Sequence, residues 1–463
     1  MFLHPEQRDF VERDHNGPAR VSGSAGTGKT IVALHRAVYL ARRHPDARVL
    51  LATFSDTLAH ALQTKLRRLI GSEPRLGERV EVHSLPALGL RLYQGLCGRR
   101  ATLVSQDELL QIVSAASEAV GSHKFSLHFL IAEWEQIVDA WQLASWEAYR
   151  DVARLGRKTR LSEAQRQVLW SIFEQVRQEL TRRSLLTQAA VLSELVTVLT
   201  RRKPTTFEFA VVDEAQDVNV SQLRFLAALG SDRPNGLFFA GDLGQRIFQP
   251  PFSWRSLGVD IRGRSRTLRV NYRTSHQIRQ QADRLLGTEV TDVDGNRDVR
   301  GDTISLFNGP PPVVRIVSSV EEETVLVQEW LAQQRKDGVV PDEIGLFVRS
   351  EAQIGRVKAA VVRSGLAFRV LDDHVDVASG CVSITTMHLA KGLEFRSVAV
   401  VACDDEVIPL QERIEAVGDD SDLQEVYDTE RHLLYVACTR ARDRLLVTAV
   451  DPASEFLDDL GSG

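Results

Sequence analysis

Eight residues near the N-terminus, Gly23 to Thr30, follow the spacing Gly-x-x-x-x-Gly-Lys-Ser/Thr. They come directly after a short apolar run, predicted as a strand, and directly before an amphipathic helical pattern. In such a unit the glycines let backbone N–H groups turn inwards around phosphate groups, and the helix N-terminus adds partial positive charge. A structural glycine-rich turn is the alternative interpretation. The strand–loop–helix context favours the phosphate loop, and this loop requires a parallel α/β sheet.

The loop supplies a set of candidate phosphate ligands. Lys29 is placed to reach the β- and γ-phosphates of a nucleoside triphosphate, and the Thr30 hydroxyl can ligate Mg²⁺. ATP and Mg²⁺ are therefore the predicted cofactors. The candidate cofactor-binding residues of this loop are Gly23, Ser24, Ala25, Gly26, Thr27, Gly28, Lys29 and Thr30.

An acidic element follows far downstream. The apolar run from Phe209 to Val212 predicts a buried strand, and Asp213 and Glu214 come directly after it. In open α/β sheets ligands gather at the carboxyl edge of the strands, which is where this strand delivers both carboxylates. Asp213 can hold the Mg²⁺ shell, and Glu214 can orient and deprotonate the attacking water. A solvated loop is the alternative, but together with the phosphate loop the pair predicts hydrolysis of a nucleotide.

Composition limits the class of protein. At 463 residues the chain is long enough for two to four compact units. Its 43% hydrophobic and 26% charged residues are ordinary for a globular protein, and no apolar run predicts a membrane span. We see no secretory signal, and the four scattered cysteines favour a reducing cytoplasm over a disulfide framework or a zinc site. Because the net charge is −5, any nucleic-acid surface must be a local groove.

Apolar runs bounded by turn residues alternate with helical patterns over much of the chain, which predicts parallel α/β architecture. From about residue 91 to 205 apolar pairs recur at helical spacing with few strand signals, so we expect a helical insertion there. The stretches Gly287 to Pro312 and Asp404 to Asp422 are predicted as loops, the second acidic and exposed. The predicted strands are Ala19–Ser22, Arg48–Phe54, Phe209–Asp213, Gly236–Ala240, Arg266–Arg269, Val313–Val317, Ile344–Arg349, Val382–Thr386, Ser397–Ala402 and Leu445–Val450.

Further segments, in order along nearly the whole chain, resemble the motifs of the UvrD/Rep-type superfamily 1A DNA helicases. Each retains most of the letters of the family motif, and together they are far more specific than the phosphate loop alone. The segments are Leu3–Gln7 (the Q motif), Asp213–Asp217 (DExQD), Ala240–Phe248 (GDxxQxIY), Val270–Arg273 (NYR), Thr385–Phe395 (TxHxxKGLE followed by Trp or Phe) and Glu430–Ala441 (ERRLLYVAxTRA).

The resemblance implies how the nucleotide is held. Gln7 would read the edge of the adenine, and Tyr272 would lie against its face. Glu394 would contact the nucleotide from a segment that couples DNA to ATP. These roles come from the family and not from spacing or composition.

The resemblance also implies which groups sense the γ-phosphate. Gln245 would detect it, Arg273 would bind it, and Arg440 would be the arginine finger. The residues themselves support the last two roles, because a motor must close its cleft on ATP, and arginines supplied by a facing domain are attracted to the γ-phosphate. Surface ion pairing is the alternative for each arginine taken alone.

Contacts with DNA are implied at the positions where the family binds its strand. Binding a strand of any sequence needs a basic groove with flat side chains on which bases stack. Phe54 and Trp254 are the best stacking candidates, with burial in the core as the alternative. The candidate DNA-binding residues are Thr53, Phe54, His83, Phe248, Trp254 and His388.

The sequence departs from the family in three places. Where members usually have TFTNKAA, this chain has Thr53-Phe54-Ser55-Asp56-Thr57-Leu58-Ala59, so a lysine is missing and Asp56 replaces an asparagine. Phe248 replaces a tyrosine and is followed by a short insertion. Only about 110 residues separate Arg273 from Thr385, which leaves no room for the large 2B insertion of well-known members. These departures bear on strand contact and unwinding rather than on the ATP site.

The fold implied is α/β, with two RecA-like parallel-sheet domains and a helical insertion in the first. We assign residues 1–90 and 186–265 to domain 1A, 91–185 to the helical insertion 1B and 266–463 to domain 2A. ATP is expected between 1A and 2A, with single-stranded DNA crossing their tops.

Three functions stay open on sequence alone. The first is a helicase that unwinds duplex DNA, and the second is a translocase that moves on single-stranded DNA without separating strands. The third is an ATP-gated binding or scaffold module in a repair, toxin or defence assembly. Intact Lys29, Glu214 and Arg440 argue against the third, and the missing 2B insertion keeps the second open. The resemblance implies 3′→5′ polarity, and a protein partner or flanking domain could assist unwinding.

Overall fold

The structure is a computed structural model, and it describes residues 3–71, 73–121, 123–152, 161–201, 206–242, 245, 252–287, 289–299, 301–371, 379–415 and 420–461. In its first part, strands and helices alternate before and after a long helical interval. The elements are α1 (Pro5–Glu12), β1 (Ala19–Ser22), α2 (Lys29–Arg43), β2 (Val49–Thr53), α3 (Asp56–Ile70), α4 (Pro74–Gly77), β3 (Val80–Ser84), α5 (Leu85–Cys97), α6 (Gln106–Val120), α7 (Leu127–Glu133), α8 (Trp146–Asp151), α9 (Glu163–Arg182), α10 (Gln188–Arg201), β4 (Phe209–Val212), α11 (Val220–Gly230), β5 (Leu237–Ala240) and β6 (Ser265–Thr267).

Among the described residues, these strands form one parallel sheet of six in the order β3-β2-β4-β5-β1-β6. Apolar side chains alternate across it: Val49 and Leu51 of β2 pack in one buried cluster, and Leu50 and Ala52 pack in another on the opposite face. Helices α2 and α3 cover one face, and α5, α10 and α11 cover the other. Burial on both faces explains why the strands read as near-continuous apolar runs. We call this sheet and its helices the first lobe.

Helices α6 to α9 enclose an apolar cluster of their own. Its centre is aromatic, because the Phe173 ring packs against Trp134 and Tyr149, with ring centroids 5.9 Å apart in each pair, and Tyr149 also stacks on Trp170. The insertion is joined to the first lobe through Arg224 of α11, which lies 5.1 Å from the Trp141 ring and donates a hydrogen bond to the Trp141 carbonyl. This arrangement is compatible with a helical unit inserted between β3 and β4.

The second part of the chain continues with short strands and then regains regular alternation. The elements are β7 (Val270–Asn271), α12 (His276–Asp283), β8 (Glu289–Thr291), β9 (Arg297–Val299), β10 (Ile304–Ser305), β11 (Val313–Val317), α13 (Val320–Lys336), β12 (Ile344–Val348), α14 (Ile354–Arg363), β13 (Phe368–Val370), β14 (Val382–Thr386), β15 (Phe395–Val400), α15 (Gln411–Glu415), α16 (Asp420–Cys438), β16 (Ala441–Val450) and α17 (Phe456–Gly461).

A second sheet, counted over the same described ranges, has six parallel strands in the order β11-β16-β15-β12-β14-β13. Its central strand β12 again divides its side chains between two buried clusters, with Phe347 on one face and Leu346 and Val348 on the other. We call this sheet and its helices the second lobe. Two parallel six-stranded sheets confirm the α/β fold of two RecA-like domains.

The chain returns to the first lobe between α12 and β11. Strands β8 and β9 form an antiparallel hairpin. Asp298 of β9 accepts a 2.8 Å hydrogen bond from Arg20 of β1, and both side chains are buried. At the hairpin's turn, Asp294 accepts a hydrogen bond from the Trp254 N–H at 2.7 Å. This hairpin, residues 289–299, is therefore anchored on the first lobe although it follows a helix of the second.

Two loop predictions were wrong in part. The interval Gly287–Pro312 contains the hairpin and β10, whose strands of two or three residues are too short and polar to show an apolar alternation. The interval Asp404–Asp422 contains α15 and the start of α16, with residues 416–419 outside the described ranges.

The strands Ala19–Ser22, Val313–Val317 and Val382–Thr386 are confirmed with the same bounds, whereas the strand predicted at Arg266–Arg269 is β6, Ser265–Thr267, and pairs with β1 in the first sheet. No helix in the described part of the chain is long and apolar enough to cross a membrane.

Candidate active site

The phosphate loop joins β1 to α2 at the carboxyl edge of the first sheet. Gly26 and Gly28 have φ angles of 84° and 85°, which side chains disfavour. A Cβ on Gly26 would lie 2.4 Å from Asn271 Oδ1, and one on Gly28 would lie 2.5 Å from Gln7 Nε2. Both glycines are thus required by backbone conformation and by the close approach of two distant segments.

Lys29 is the first residue of α2, and the phosphate loop curves around its ammonium group. Nζ donates hydrogen bonds to the carbonyls of Gly23 at 2.7 Å and Ser24 at 3.0 Å, and lies 3.9 Å from Asp242 Oδ2. Burial lowers the pKa of Lys29, while Asp242 and Glu214 oppose that shift. Ser24 Oγ is buried without a hydrogen-bond partner among the described residues. A cationic loop with a buried hydroxyl left to donate fits a phosphate group.

The two adjacent carboxylates after β4 differ in environment. Burial, together with the negative charge of Glu214, raises the pKa of Asp213 above its usual value. A hydrogen bond from Thr30 only partly offsets this shift. Burial also acts to raise the pKa of Glu214, but the ammonium groups of Lys391 and Lys29 outweigh it and hold that pKa below its usual value. Glu214 is therefore the carboxylate that stays ionised and able to accept a proton. Thr30 and Asp213 lie together, as a Mg²⁺ site would need.

The backbone of Glu214 is in the left-handed region, at φ 54° and ψ 42°. This conformation is uncommon for a residue with a side chain, and such residues concentrate at functional sites. It directs the chain out of β4 into the short 3₁₀ turn Ala215–Asp217. The DExQD segment therefore turns sharply at Glu214, the residue predicted to act as the catalytic base.

Two arginines of the second lobe face the loop. Arg440, at the end of α16, donates from Nη2 to Gln245 Oε1 at 3.0 Å and from Nε to the Val436 carbonyl at 3.0 Å. Burial, assisted by the neighbouring charge of Arg273, lowers the pKa of Arg440 to about 10, so it remains a cation at neutral pH. Arg273 donates to the carbonyl of Thr439 at 3.0 Å. Arg273 therefore contacts the residue that precedes Arg440, and its charge acts on the Arg440 guanidinium.

Between the lobes these groups surround a cavity of about 460 Å³. Its wall combines the phosphate loop, the end of β4, one face of α3 and three segments of the second part of the chain. The lining residues are Ala25, Gly26, Gly28, Lys29, Thr30, Ile31, Leu58, Ala61, Leu62, Lys65, Asp213, Glu214, Gln245, Tyr272, Arg273, Gly392, Glu394, Arg440 and Arg442.

The nucleotide contacts predicted outside the phosphate loop are Gln7 and Tyr272, at the adenine, and Glu394. Gln7 is buried and donates from Nε2 to the Thr27 carbonyl at 3.0 Å, while its Oε1 accepts from the His4 N–H. Tyr272 donates its N–H to the Gly26 carbonyl at 2.9 Å, and its ring lies 5.6 Å from that of His4. Glu394 is at the cavity rim, with its carboxylate 3.9 Å from Arg273 and more than half exposed. Tyr272 and Glu394 therefore line the cavity, and Gln7 contacts the phosphate loop beside it.

The predicted strand contacts are more scattered. Thr53 ends β2 and is fully buried, and Phe54 follows it half-buried. His83 is the penultimate residue of the neighbouring strand β3, and its Nε2 lies 3.2 Å from the Glu81 carboxylate. Trp254 packs edge-on against Phe239 with ring centroids 4.8 Å apart, next to the core of the first lobe. The alternative of core packing thus describes Trp254 better than an open stacking face.

Of the remaining two candidates, His388 lies on the 3₁₀ turn Met387–Ala390. Burial and the nearby charge of Arg349 lower the pKa of His388 to about 4, so it is neutral at physiological pH. A strand contact by His388 would be a neutral hydrogen bond or a stack and not an ion pair. Phe248 lies outside the described residues.

Several residues at this cavity were not predicted. Asn271 donates to the Ala25 carbonyl and accepts from the N–H groups of Arg273 and Thr274, so it joins the NYR segment to the phosphate loop. Ile31 and Lys65 line the cavity from α2 and α3. Asn271 belongs to the NYR segment, so the sequence does carry a signal for it. No pattern in the sequence distinguishes Lys65 from a solvated surface lysine.

Several known proteins of similar sequence are named DNA helicases. It is 23% identical to a "Probable DNA helicase" of Mycoplasma pneumoniae, covering 98% of this chain and 84% of that protein. It is 26% identical to "ATP-dependent DNA helicase UvrD2" of Mycobacterium tuberculosis and 21% identical to "ATP-dependent DNA helicase PcrA" of Staphylococcus epidermidis, over 80% of this chain in each. The matches span 55% and 51% of those two proteins, so the chain covers about half of their length.

Two domain families match the chain by sequence. Residues 371–451 match the UvrD-like helicase C-terminal domain. Residues 3–256, more than half of the chain, match the UvrD/REP helicase N-terminal domain. These residues include the phosphate loop, both carboxylates and Gln245. The chain therefore belongs to the UvrD/REP helicase family.

Proposed function

We propose that this chain hydrolyses ATP in the cavity between its lobes and uses the cycle to move 3′→5′ along single-stranded DNA. One observation carries the proposal: a single cavity is lined by Lys29 and Glu214 of the first lobe and by Arg440 of the second. A site divided in this way can hydrolyse ATP only when the lobes are together. Hydrolysis is then tied to a change in their separation.

ATP with Mg²⁺, when bound, would supply the γ-phosphoryl group and part of the charge that neutralises it. We assign Thr30 and Asp213 to the Mg²⁺ ion, and the backbone from Gly23 to Gly28 with Lys29 to the phosphates. Gln7, Tyr272 and Glu394 would hold the nucleoside from the cavity's rim.

Glu214 accepts the proton of the attacking water, since it is the carboxylate that the surrounding cations keep ionised. Arg273 and Arg440 stabilise the charge that develops on the γ-phosphoryl oxygens. Gln245 lies between Arg440 and Asp242, with bonds of 3.0 and 2.8 Å, and so connects the arginine to the first lobe.

Movement would follow from alternate closing and opening of the lobes over a strand held at their carboxyl edges. Phe54, His83 and His388 are the strand contacts we retain from the described candidates. We keep the boundaries 1–90 with 186–265, 91–185 and 266–463 for 1A, 1B and 2A, with the qualification that β6 and the hairpin pack on the first lobe. The cysteines support the cytoplasm as the compartment.

An ATP-gated scaffold is the alternative function. It differs from a motor in its turnover, because a scaffold binds ATP without sustained DNA-dependent hydrolysis. ATP hydrolysis should therefore be measured with single-stranded DNA, double-stranded DNA and RNA. Stimulation of hydrolysis by single-stranded DNA would support the motor. Tight ATP binding without turnover on any of the three nucleic acids would instead support the scaffold.

Polarity is tested with streptavidin bound at one end of an oligonucleotide. A motor that moves 3′→5′ runs off the 5′ end and displaces streptavidin there. Displacement from the 3′ end alone would refute the assigned direction.

A further inference from the structure

A second cavity, lined by three arginines, lies at the edge of the first lobe opposite to the predicted strand contacts. Its volume is about 440 Å³, close to that of the ATP cavity, and Phe10 of α1 forms part of its wall. Arg266 comes from β6, Arg269 from the segment between β6 and β7, and Arg297 from the hairpin. Among the described residues no carboxylate lines it. We call it the arginine cavity.

The way the hairpin folds back explains how these residues meet. Within the described ranges β6 pairs with β1 and with no other strand, so the outer edge of β6 is open. Side chains alternate along a strand, and Asp298 of β9 points inwards to Arg20. Its neighbour Arg297 therefore points away from that buried pair and is exposed. The hairpin thus adds a third guanidinium to the two that β6 and its continuation supply.

Each of the three guanidinium groups has one carboxylate neighbour outside the wall of the cavity. The pairs are Arg266 with Asp9 at 3.1 Å, Arg297 with Glu289 at 3.3 Å and Arg269 with Asp302 at 3.9 Å. All six side chains are exposed, and ion pairs in that setting contribute little to stability. Because a guanidinium has five N–H donors, each arginine keeps donors for a further anion.

The exposure of the arginines indicates that the anion is a long one. A small anion at an exposed site is screened by salt, so it gains little from binding there. A nucleic-acid strand carries a phosphate at every nucleotide and releases counterions when arginines neutralise it, which favours binding at an exposed surface. The Phe10 ring is only partly buried and adds a flat surface of the kind on which bases stack. These features together favour a strand over a free phosphate.

The arginine cavity lies apart from the strand path of the proposed function. That path uses Phe54, directly after β2, and His83 in β3, near the other edge of the sheet. Four strand spacings separate β2 from β6, which is roughly 19 Å at about 4.8 Å per spacing. The few nucleotides held at Phe54 therefore do not reach the arginines, and a longer strand is needed to occupy both places.

We propose that the arginine cavity is a second binding site for single-stranded DNA, which it holds through phosphate groups. Arg266, Arg269 and Arg297 donate to the phosphates, and contacts of this kind position a strand without reading its sequence. The inference goes beyond the proposed function, which needs one strand path only. A strand long enough to occupy both sites gains affinity over a short one, because its second contact is made within the same complex.

The test compares the wild type with a cavity variant that combines Arg266→Gln, Arg269→Gln and Arg297→Gln. Equilibrium binding of fluorescent poly-dT oligonucleotides of increasing length is measured over a range of salt concentrations. For long oligonucleotides, the slope of log affinity against log salt should be shallower in the variant by about 2, since each lost phosphate contact removes about 0.7. Oligonucleotides that fill only the first path should bind both proteins alike. A slope unchanged at every length would overturn the proposal.

A matched control removes three exposed arginines from other surfaces, by combining Arg363→Gln, Arg99→Gln and Arg182→Gln. These side chains are 44%, 63% and 69% exposed, against 47%, 63% and 69% for the arginines of the cavity. Each also pairs with a carboxylate, as in the cavity. The two triple variants have the same net charge, and we expect the loss of affinity only in the cavity variant. An equal loss in both would show an effect of overall charge and would overturn the site.

Three further ligands test whether the site selects single-stranded DNA: inorganic triphosphate, a poly-Glu peptide and a DNA duplex. Each should bind the wild type more weakly than the long oligonucleotide does. If one of them binds as tightly and loses that affinity in the cavity variant, the cavity takes another ligand and the assignment is wrong. If the three substitutions weaken oligonucleotides of every length equally, the arginines belong to the main strand path and there is no second site.

ATP hydrolysis separates this inference from the proposed function. A short oligonucleotide that stimulates hydrolysis equally in the wild type and in the cavity variant supports the proposed function, whatever the long strands show. If no DNA stimulates hydrolysis by the wild type, the proposed function fails. The dependence of binding on strand length and salt still decides whether the arginine cavity holds a strand, because that measurement requires no turnover.

Discussion

Nη2 of Arg440 lies 3.0 Å from Oε1 of Gln245, which joins the second lobe to the first inside the cavity. From Gln245 the contacts continue, because its Nε2 donates to Asp242 at 2.8 Å and Asp242 lies 3.9 Å from the Lys29 ammonium. Three side-chain contacts therefore connect the arginine of one lobe to the phosphate loop of the other. The position of the second lobe is thereby linked to the charge on the loop.

Arg440→Ala should reduce ATP hydrolysis by roughly 10³-fold or more while leaving nucleotide affinity nearly intact. The reason is that a guanidinium supplied from the facing lobe acts mainly on charge that develops during the reaction. Single-turnover hydrolysis and equilibrium binding of ATP measure the two effects separately. A variant that unfolds, but whose folded fraction hydrolyses ATP normally, would show that Arg440 is structural.

Lys29→Ala and Glu214→Gln should both abolish turnover, and only the second should still bind ATP well. Lys29 neutralises phosphate charge in the ground state, whereas Glu214 acts on the attacking water. Steady-state hydrolysis with poly-dT and ATP binding by calorimetry check the pair. Hydrolysis close to wild type in either variant would contradict the assignment of that residue.

Asn271→Ala should weaken ATP binding without unfolding the chain. It removes the bond to the Ala25 carbonyl and leaves the N–H groups of Arg273 and Thr274 without their acceptor. Each such loss is worth about 1–3 kcal/mol when the group stays buried. We expect affinity for a fluorescent ATP analogue to fall by at least about tenfold, and an unchanged affinity would mean that the loop holds its shape without Asn271.

The chain alone should unwind duplex DNA weakly, even if it moves on single strands as we propose. The resemblance implies a 2B subdomain over the duplex junction, whereas here the interval between Arg273 and Thr385 is occupied by β8 to β13 with α12 to α14, apart from residues 288, 300 and 372–378, which lie outside the described ranges. Unwinding of a 3′-tailed duplex should therefore need a partner or flanking domain. Efficient unwinding of long duplexes by the chain alone would contradict this prediction.

The affinity for single-stranded DNA should fall steeply as the salt concentration rises, because we expect most contacts to be with phosphate groups.

The stability of the fold should depend on His388 at mildly acidic pH. Its pKa in the folded chain is about 4, against an ordinary value of 6.5, because it is buried beside Arg349 and Arg413, whose effect Glu430 only partly offsets. Below pH 6.5 the unfolded chain binds more protons at this site, so the free energy of unfolding falls as pH drops from about 6.5 to 4. Thermal midpoints across this window should fall less in His388→Asn than in the wild type, and equal slopes would show that His388 does not contribute.

Much of the fold followed from local pattern, because central strands buried on both faces are continuous apolar runs. The edge strands β3 and β13 were not predicted, because neither is a continuous apolar run. Val80–Ser84 has a charged and a histidine side chain on its half-buried positions, and Phe368–Val370 has only three residues. Such strands are specified by their neighbours and carry little signal of their own.

The candidate site was predicted in its parts and not in its contacts. Lys29, Glu214 and Arg440 could be named because each belongs to a motif with a chemical reason for its residue type. The bond between Lys391 and Asp217 joins residues far apart in sequence across two lobes. No periodicity encodes such a bond, since it depends on how two sheets face one another.

The hairpin of residues 289–299 has a consequence for how the protein can be divided. A fragment that ends at β6 would contain the whole first sheet but would lack the hairpin, so Arg20 of β1 would lose its ion pairs with both Asp292 and Asp298. The side of β1 that carries Arg20 would then lose the segment that packs on it in the whole chain. The first lobe expressed by itself should therefore be unstable. Adding the hairpin, either as a separate peptide or fused through a short linker, should stabilise it. The two lobes are adjacent in sequence, but the first is completed only after synthesis has entered the second.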